Sequence, residues 1–159
     1  MRLAANSFAL QLGTKVYTLR PTLRAAFQLH HRYGFPELYQ AIAEGSFTAI
    51  MDLITATSND VPIASLRTIL DAREQLLEFV LILVGADTTD SKPQASAPMP
   101  FDEYFTRLFR IGAGHLGWSP DVVWNSTAAE ILIARAGREE LLRQIFGKRD
   151  EEATPRVCT

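Results

Sequence analysis

Phe8-Ala9-Leu10-Gln11-Leu12-Gly13-Thr14-Lys15-Val16-Tyr17-Thr18-Leu19, followed at once by Arg20-Pro21-Thr22-Leu23-Arg24-Ala25-Ala26-Phe27, is the stretch that decides the fold. Phe8, Leu10 and Leu12 alternate with Ala9 and Gln11, the period of a half-buried strand. Beyond Gly13-Thr14-Lys15 the run Val16-Tyr17-Thr18-Leu19 is again β-branched and aromatic, so the two runs read as a β-hairpin. The period then changes. Leu23, Ala26, Phe27 and His30 recur at helical spacing behind Pro21 and Thr22, until Gly34 supplies a positive-φ stop. A two-stranded hairpin alone is marginal in water, so its apolar face must lie on the helices that follow, or its edge must extend onto another chain.

Outward from this stretch the chain is helical. The first helix is expected over residues 22–33, and a short second one runs from Pro36 to Gly45. Ser46 is placed to cap a third over residues 47–57, with Phe47, Ile50, Met51 and Ile54 as its apolar stripe and Asp52 facing away. After the turn Asn59-Asp60-Val61-Pro62, apolar residues from Ile63 to Leu81 keep the helical period up to Gly85. One long or kinked helix, or two in series, satisfies that pattern. Its end, residues 79–84, is apolar all round and therefore enclosed by other helices or covered by a partner, which makes Phe79, Leu81 and Val84 candidate partner contacts. The run 76–84 is interrupted by Glu78 and is far shorter than the roughly 20 residues that span a bilayer.

Between residues 86 and 100 the composition shifts to Asp, Thr, Ser, Lys, Gln, Ala and Pro, the signature of a linker. The expected organisation is a hairpin and helical module at 1–85, a flexible Pro/Ser/Thr linker at 86–100, a C-terminal helical segment at 101–147 and a mobile tail at 148–159. The fold class is mainly α with a short N-terminal β-hairpin. In the C-terminal segment Asp102 and Glu103 complement a helix N-terminus, ahead of Tyr104, Phe105, Leu108, Phe109 and Ile111 at helical spacing. Gly112, Gly114 and Gly117 mark a bend. Ser119-Pro120 starts a short helix, and Thr127-Ala128-Ala129-Glu130 is a capping box opening a last helix that ends at Gly147.

Composition removes several classes of function. The 159 residues are 47% hydrophobic, enough for a folded core, and the formal net charge is -2 with 16 scattered Lys and Arg, which gives no overall field for nucleic acid. The one cysteine, Cys158, excludes an intrachain disulfide and any Cys-based metal site, in keeping with a reducing, cytoplasmic setting. Residues 1–7 carry one Arg and no long apolar core, so they do not read as a secretory signal. His30 and His31 are adjacent and diverge on a helix, His115 is remote, and neither a G-x-S-x-G elbow nor an H-E-x-x-H pair is present. Gly112-Ala113-Gly114 follows no strand and is no phosphate loop. The expectation is therefore a binding protein and not an enzyme, with no cofactor, metal or membrane contact. Arg20, Arg24 and Arg32 read as a solvated helix face, with a basic nucleic-acid surface as the alternative.

The densest information is aromatic. Trp118, Pro120 and Trp124 sit within seven residues, where the indoles either staple a short helix onto its neighbours or anchor a partner.

With these elements placed, Val16-Tyr17-Thr18-Leu19-Arg20, Leu23-Arg24-Ala25-Ala26-Phe27, Tyr33-Gly34 and Phe47-Thr48-Ala49-Ile50 resemble the tail assembly chaperones of gene transfer agents and long-tailed phages. The C-terminal segment is similar to the small tail assembly chaperone that accompanies them, through Phe101-Asp102, Leu116-Gly117-Trp118-Ser119-Pro120, Trp124 and Thr127-Ala128-Ala129-Glu130. Ala128 departs from the pattern, since related segments often carry Pro there, and the two segments here lie on one chain. The resemblance implies a chaperone in the bacterial host cytoplasm that coats the tape measure protein, recruits tail tube subunits and is absent from the mature particle. A homo-oligomer is compatible with it. The alternatives are a structural tail protein of the tube or completion type, using the hairpin edge, and a small DNA-binding regulator, against which the acidic balance argues.

Overall fold

The computed structural model describes residues 7–58, 60–85 and 99–147. The expected linker lies outside the described residues over 86–98, as does the expected tail at 148–159. The fold is mainly α with an N-terminal β-hairpin. Strands β1 (Phe8–Leu12) and β2 (Lys15–Leu19) pair antiparallel, Phe8 opposite Leu19 and Leu12 opposite Lys15. Lys15 thus belongs to the second strand, and the turn is the two residues Gly13-Thr14, with Gly13 at φ 63°. That conformation is open to glycine at no steric cost, which makes the short turn possible. Leu10, Leu12, Tyr17 and Leu19 are buried, while Gln11, Val16 and Thr18 face out. Of the two fates open to the apolar face, it takes the helices: the Phe8 ring lies 5.5 Å from that of Phe79.

Helix α1 (Leu23–Tyr33) begins where Thr22 Oγ1 accepts the Ala25 N–H at 3.2 Å and stops at Gly34, whose N–H donates to the His30 carbonyl. Helices α2 (Phe35–Ala43) and α3 (Phe47–Thr57) follow, the latter capped by Ser46. The pattern from Ile63 to Gly85 resolves into two helices in series, α4 (Leu66–Asp71) and α5 (Arg73–Val84), broken at Ala72 (φ −82°, ψ 2°). Beside the break, Arg73 donates to the Ala43 carbonyl at 3.1 Å and pins α5 to the end of α2. Leu38, Ile42, Leu53, Ile54, Leu76 and Phe79 are fully enclosed among these helices. Each such side chain stabilises the fold by about 1.5–3 kcal/mol relative to exposure.

The C-terminal elements are α6 (Phe101–Phe109), a π-helical turn at Arg110–His115, α7 (Pro120–Asn125) and α8 (Ala128–Phe146). They pack on the first part of the chain. Phe105, Leu108, Ile111, Val123 and Ile131 join Leu23, Ala26 and Phe35 in one continuous core. The Phe101 ring stands 4.8 Å edge-on to Phe35, and Phe105 lies 5.8 Å from Phe27. Backbone joins backbone as well: the Leu23 N–H donates to the Ser126 carbonyl at 2.9 Å, and Thr22 and Thr127 form an antiparallel bridge.

Charged side chains follow the same seam. Arg20 pairs with Glu130 at 2.8 Å, Arg24 with Asp121 at 3.7 Å, and His31 approaches Asp102 at 3.5 Å. Arg20 and Arg24, read from sequence as a solvated face, are turned toward carboxylates of the C-terminal segment. Arg32 instead meets Asp52 at 3.2 Å within the N-terminal part. Asp52 does not face away from the structure, as its place on the helix suggested. It is half-buried, because the Tyr33 hydroxyl donates to it and draws it between α1 and α3. Burial first, then the hydrogen bond and the negative charge of Asp52, raise the Tyr33 pKa above its ordinary value of 10.0, against the lowering influence of Arg32.

Candidate protein-binding surface

Sequence placed the partner contacts on two groups of residues, and the structure puts these on separate elements. Phe79, Leu81 and Val84 ride on α5. Phe79 is 0% exposed and belongs to the core, so in this fold it offers no partner contact. Its helix turns that side toward Phe8 and the hairpin. Val84 is half-buried, and Leu81, on the outer face, is exposed.

Trp118, Pro120 and Trp124 lie together on α7 and the loop before it. Ser119 Oγ caps α7 by accepting the Val122 N–H, with Pro120 at the first helical position and exposed. The Trp118 N–H donates to the Gly112 carbonyl at 3.0 Å, folding the loop back on the π-turn. Beneath it, a Cβ on Gly112 would stand 2.7 and 2.8 Å from the Val123 methyl carbons, so only glycine admits Val123 to the core at this point. Trp124 is half-buried with its ring 5.4 Å from Phe27 and 5.2 Å from Phe109. Both indoles pack against the core with part of each ring in solvent.

A further uncovered apolar surface lies on the last helix. Helix α8 has 19 residues, and Ile131 is its one buried residue among those described. Its first turns rest on α6 and the π-turn, whereas residues 136–147 are exposed throughout. Leu141, Leu142, Ile145 and Phe146 are 54%, 42%, 59% and 65% exposed on that free end. They recur at i, i+1, i+4 and i+5, which groups them on one side of the helix. Sequence reasoning used Leu141, Leu142 and Ile145 to define the helix and did not single them out as a site. The available signal was Gly137, a weak point that separates them from the capped first turns.

Residues 103–146 match the family described as phage tail assembly chaperone protein, TAC. Over that stretch the chain is similar to the phage tail assembly chaperones. The matched stretch holds most of α6, the π-turn, the Trp118 loop, α7 and the whole of α8, so it includes both the indole pair and the free apolar end. No curated protein and no solved structure matches the chain. No helix among the described residues is long and apolar enough to cross a membrane. Among the described residues no cluster of three His, Cys, Asp or Glu side chains is arranged to hold a metal ion.

Proposed function

We propose that this chain is a tail assembly chaperone of a phage or gene transfer agent that binds the tape measure protein and recruits tail tube subunits, acting by contact and not by catalysis. The observation that carries the reading is the family match over residues 103–146. The uncovered end of α8 supports contact as the means, because neighbouring exposed apolar side chains on a helix suit a groove on a partner. On this reading Leu141, Leu142, Ile145 and Phe146 hold the tail protein, and Trp118, Pro120 and Trp124 with Leu81 and Val84 are secondary contacts. The chaperone works in the bacterial host cytoplasm and leaves before the particle is complete.

Co-expression with the tape measure protein tests this. The expected result is a soluble tape measure protein that co-purifies with the chain; an insoluble tape measure and no co-purification overturn it. A structural tail protein is the second reading, favoured by the hairpin, whose sheet has two strands and therefore two free edges among the described residues. Mass spectrometry of purified particles separates the two, since a chaperone is missing from them.

A further inference from the structure

A second feature of the chaperone segment is cationic. Helices α6 and α8 and the π-turn between them border a cleft of about 290 Å³. Arg107, Arg110, His115 and Arg135 line it with Thr106, over the buried side chain of Ile111. Glu103 is its one carboxylate. All of these residues fall in the matched stretch.

Local geometry explains the grouping. Glu103, Arg107 and Arg110 follow each other at helical i, i+4 and i+7 and share one side of α6 and its continuation. An α-helix would then carry His115 away from that side. The π-turn does not: the Leu116 N–H closes on the Ile111 carbonyl at 2.9 Å, an i to i+5 bond that widens the turn and sets residues five apart one above the other. Arg110 and His115 therefore border the same cleft, and such turns are frequent at functional sites. Arg135 comes from α8, held by Glu139 at 2.6 Å. No residue among those described forms an ion pair with Arg107 or Arg110, in contrast to Arg20, Arg24 and Arg32, each of which has a carboxylate.

Unpaired guanidinium groups converging on a small concave surface call for an anion with planar oxygens. An extended polyphosphate fits poorly, because Glu103 lines the cleft and Glu139 and Glu140 follow Arg135 along α8, and these would repel a long anionic backbone. We propose that the cleft receives one or two Asp or Glu side chains from an acidic segment of a protein partner. The inference deepens the chaperone reading and rests on it for the class of partner.

The test is fluorescence anisotropy of a labelled peptide carrying two adjacent Glu residues between Gly-Ser flanks, with the full chain at low salt. Saturable binding is expected, with none for the same peptide carrying Gln in place of Glu. R107Q/R110Q loses at least tenfold in affinity, R107K/R110K keeps most of it, and R67Q, which makes a single charge change outside the cleft, leaves it unchanged. Raising the ionic strength from about 0.01 to about 0.1 M shortens the screening length from roughly 30 to roughly 10 Å and weakens the complex. Three results overturn the proposal: no binding of the Glu peptide by the native chain, equal binding by R107Q/R110Q, or tighter Arg107- and Arg110-dependent binding of inorganic phosphate or a single-stranded oligonucleotide. The measurement contains no tail protein, so its failure is distinct from failure of the tape measure co-expression.

Discussion

One guanidinium nitrogen of Arg20 lies 2.8 and 3.0 Å from the two carboxylate oxygens of Glu130, across 110 positions of sequence. The same carboxylate accepts the Thr127 N–H at 2.8 Å, while Thr127 Oγ1 accepts the Glu130 N–H at 3.2 Å. Glu130 therefore completes a capping box and ties the first turn of α8 to the residue that follows β2. Glu130→Ala is expected to cost about 1–2 kcal/mol, the cap being the larger part, and Arg20→Ala about 0–1 kcal/mol because the pair is partly solvated. Chemical denaturation of both single variants and the double variant gives the coupling; strict additivity would remove the tie between the two elements.

Gly112 and Val123 approach each other closely where the π-turn meets α7. Gly112→Ala is expected to destabilise the chain by about 1–3 kcal/mol, since its Cβ would overlap both Val123 methyl groups. The cost should shrink when Val123 is shortened to Ala in the same chain. Thermal unfolding of the four proteins checks this, and an equal cost in both backgrounds would show that the contact is not responsible.

Leu141 and Ile145 stand on the free end of α8, where nothing is lost from the core by changing them. Leu141→Ser with Ile145→Ser should leave stability within about 0.5 kcal/mol. On the proposed function the double variant loses co-purification with the tape measure protein. Trp124→Ala, by contrast, removes a ring that touches Phe27 and Phe109, and it should lower the melting temperature of the whole chain. Retained binding by the serine variant would move the contact surface off α8.

Tyr33 gives a pH dependence of stability. Its folded-state pKa is raised, chiefly by burial and then by Asp52, so the native state holds the phenolic proton more tightly than the unfolded chain does. The contribution is fully present below the unfolded value of 10.0 and is lost as pH rises through the higher folded value. Stability measured from pH 8 to 12 should fall less steeply in Tyr33→Phe than in the native chain above about pH 10. Parallel slopes would show that Tyr33 is not the titrating group.

Much of the architecture was legible because its determinants are local. Thr22, Ser46, Ser119 and Thr127 cap their helices through contacts three residues away, and Gly13 and Gly34 adopt positive φ where the turn and the helix end require it. The capping box could be read from two residue types at fixed spacing. The same holds for the hairpin, whose alternation names its buried side. The cationic cleft had no such signal: Arg107, Arg110, His115 and Arg135 come from three elements, and the π-turn that groups them departs from the period on which helical reading depends.

Phe79 and Leu141 show where local reasoning ends. Both are large apolar residues in helical runs, yet Phe79 is 0% exposed and Leu141 54%. By itself the sequence determined that each lies on a helix, where that helix stops, and that the chain is mainly α with one hairpin, because caps, turns and periodicity are properties of neighbouring residues. The tertiary structure alone decided that Phe79 is enclosed while no described element covers Leu141, and that Arg20 and Arg24 meet Glu130 and Asp121. Burial and charge pairing depend on which distant surfaces meet, and they add up contacts that no short window of sequence contains.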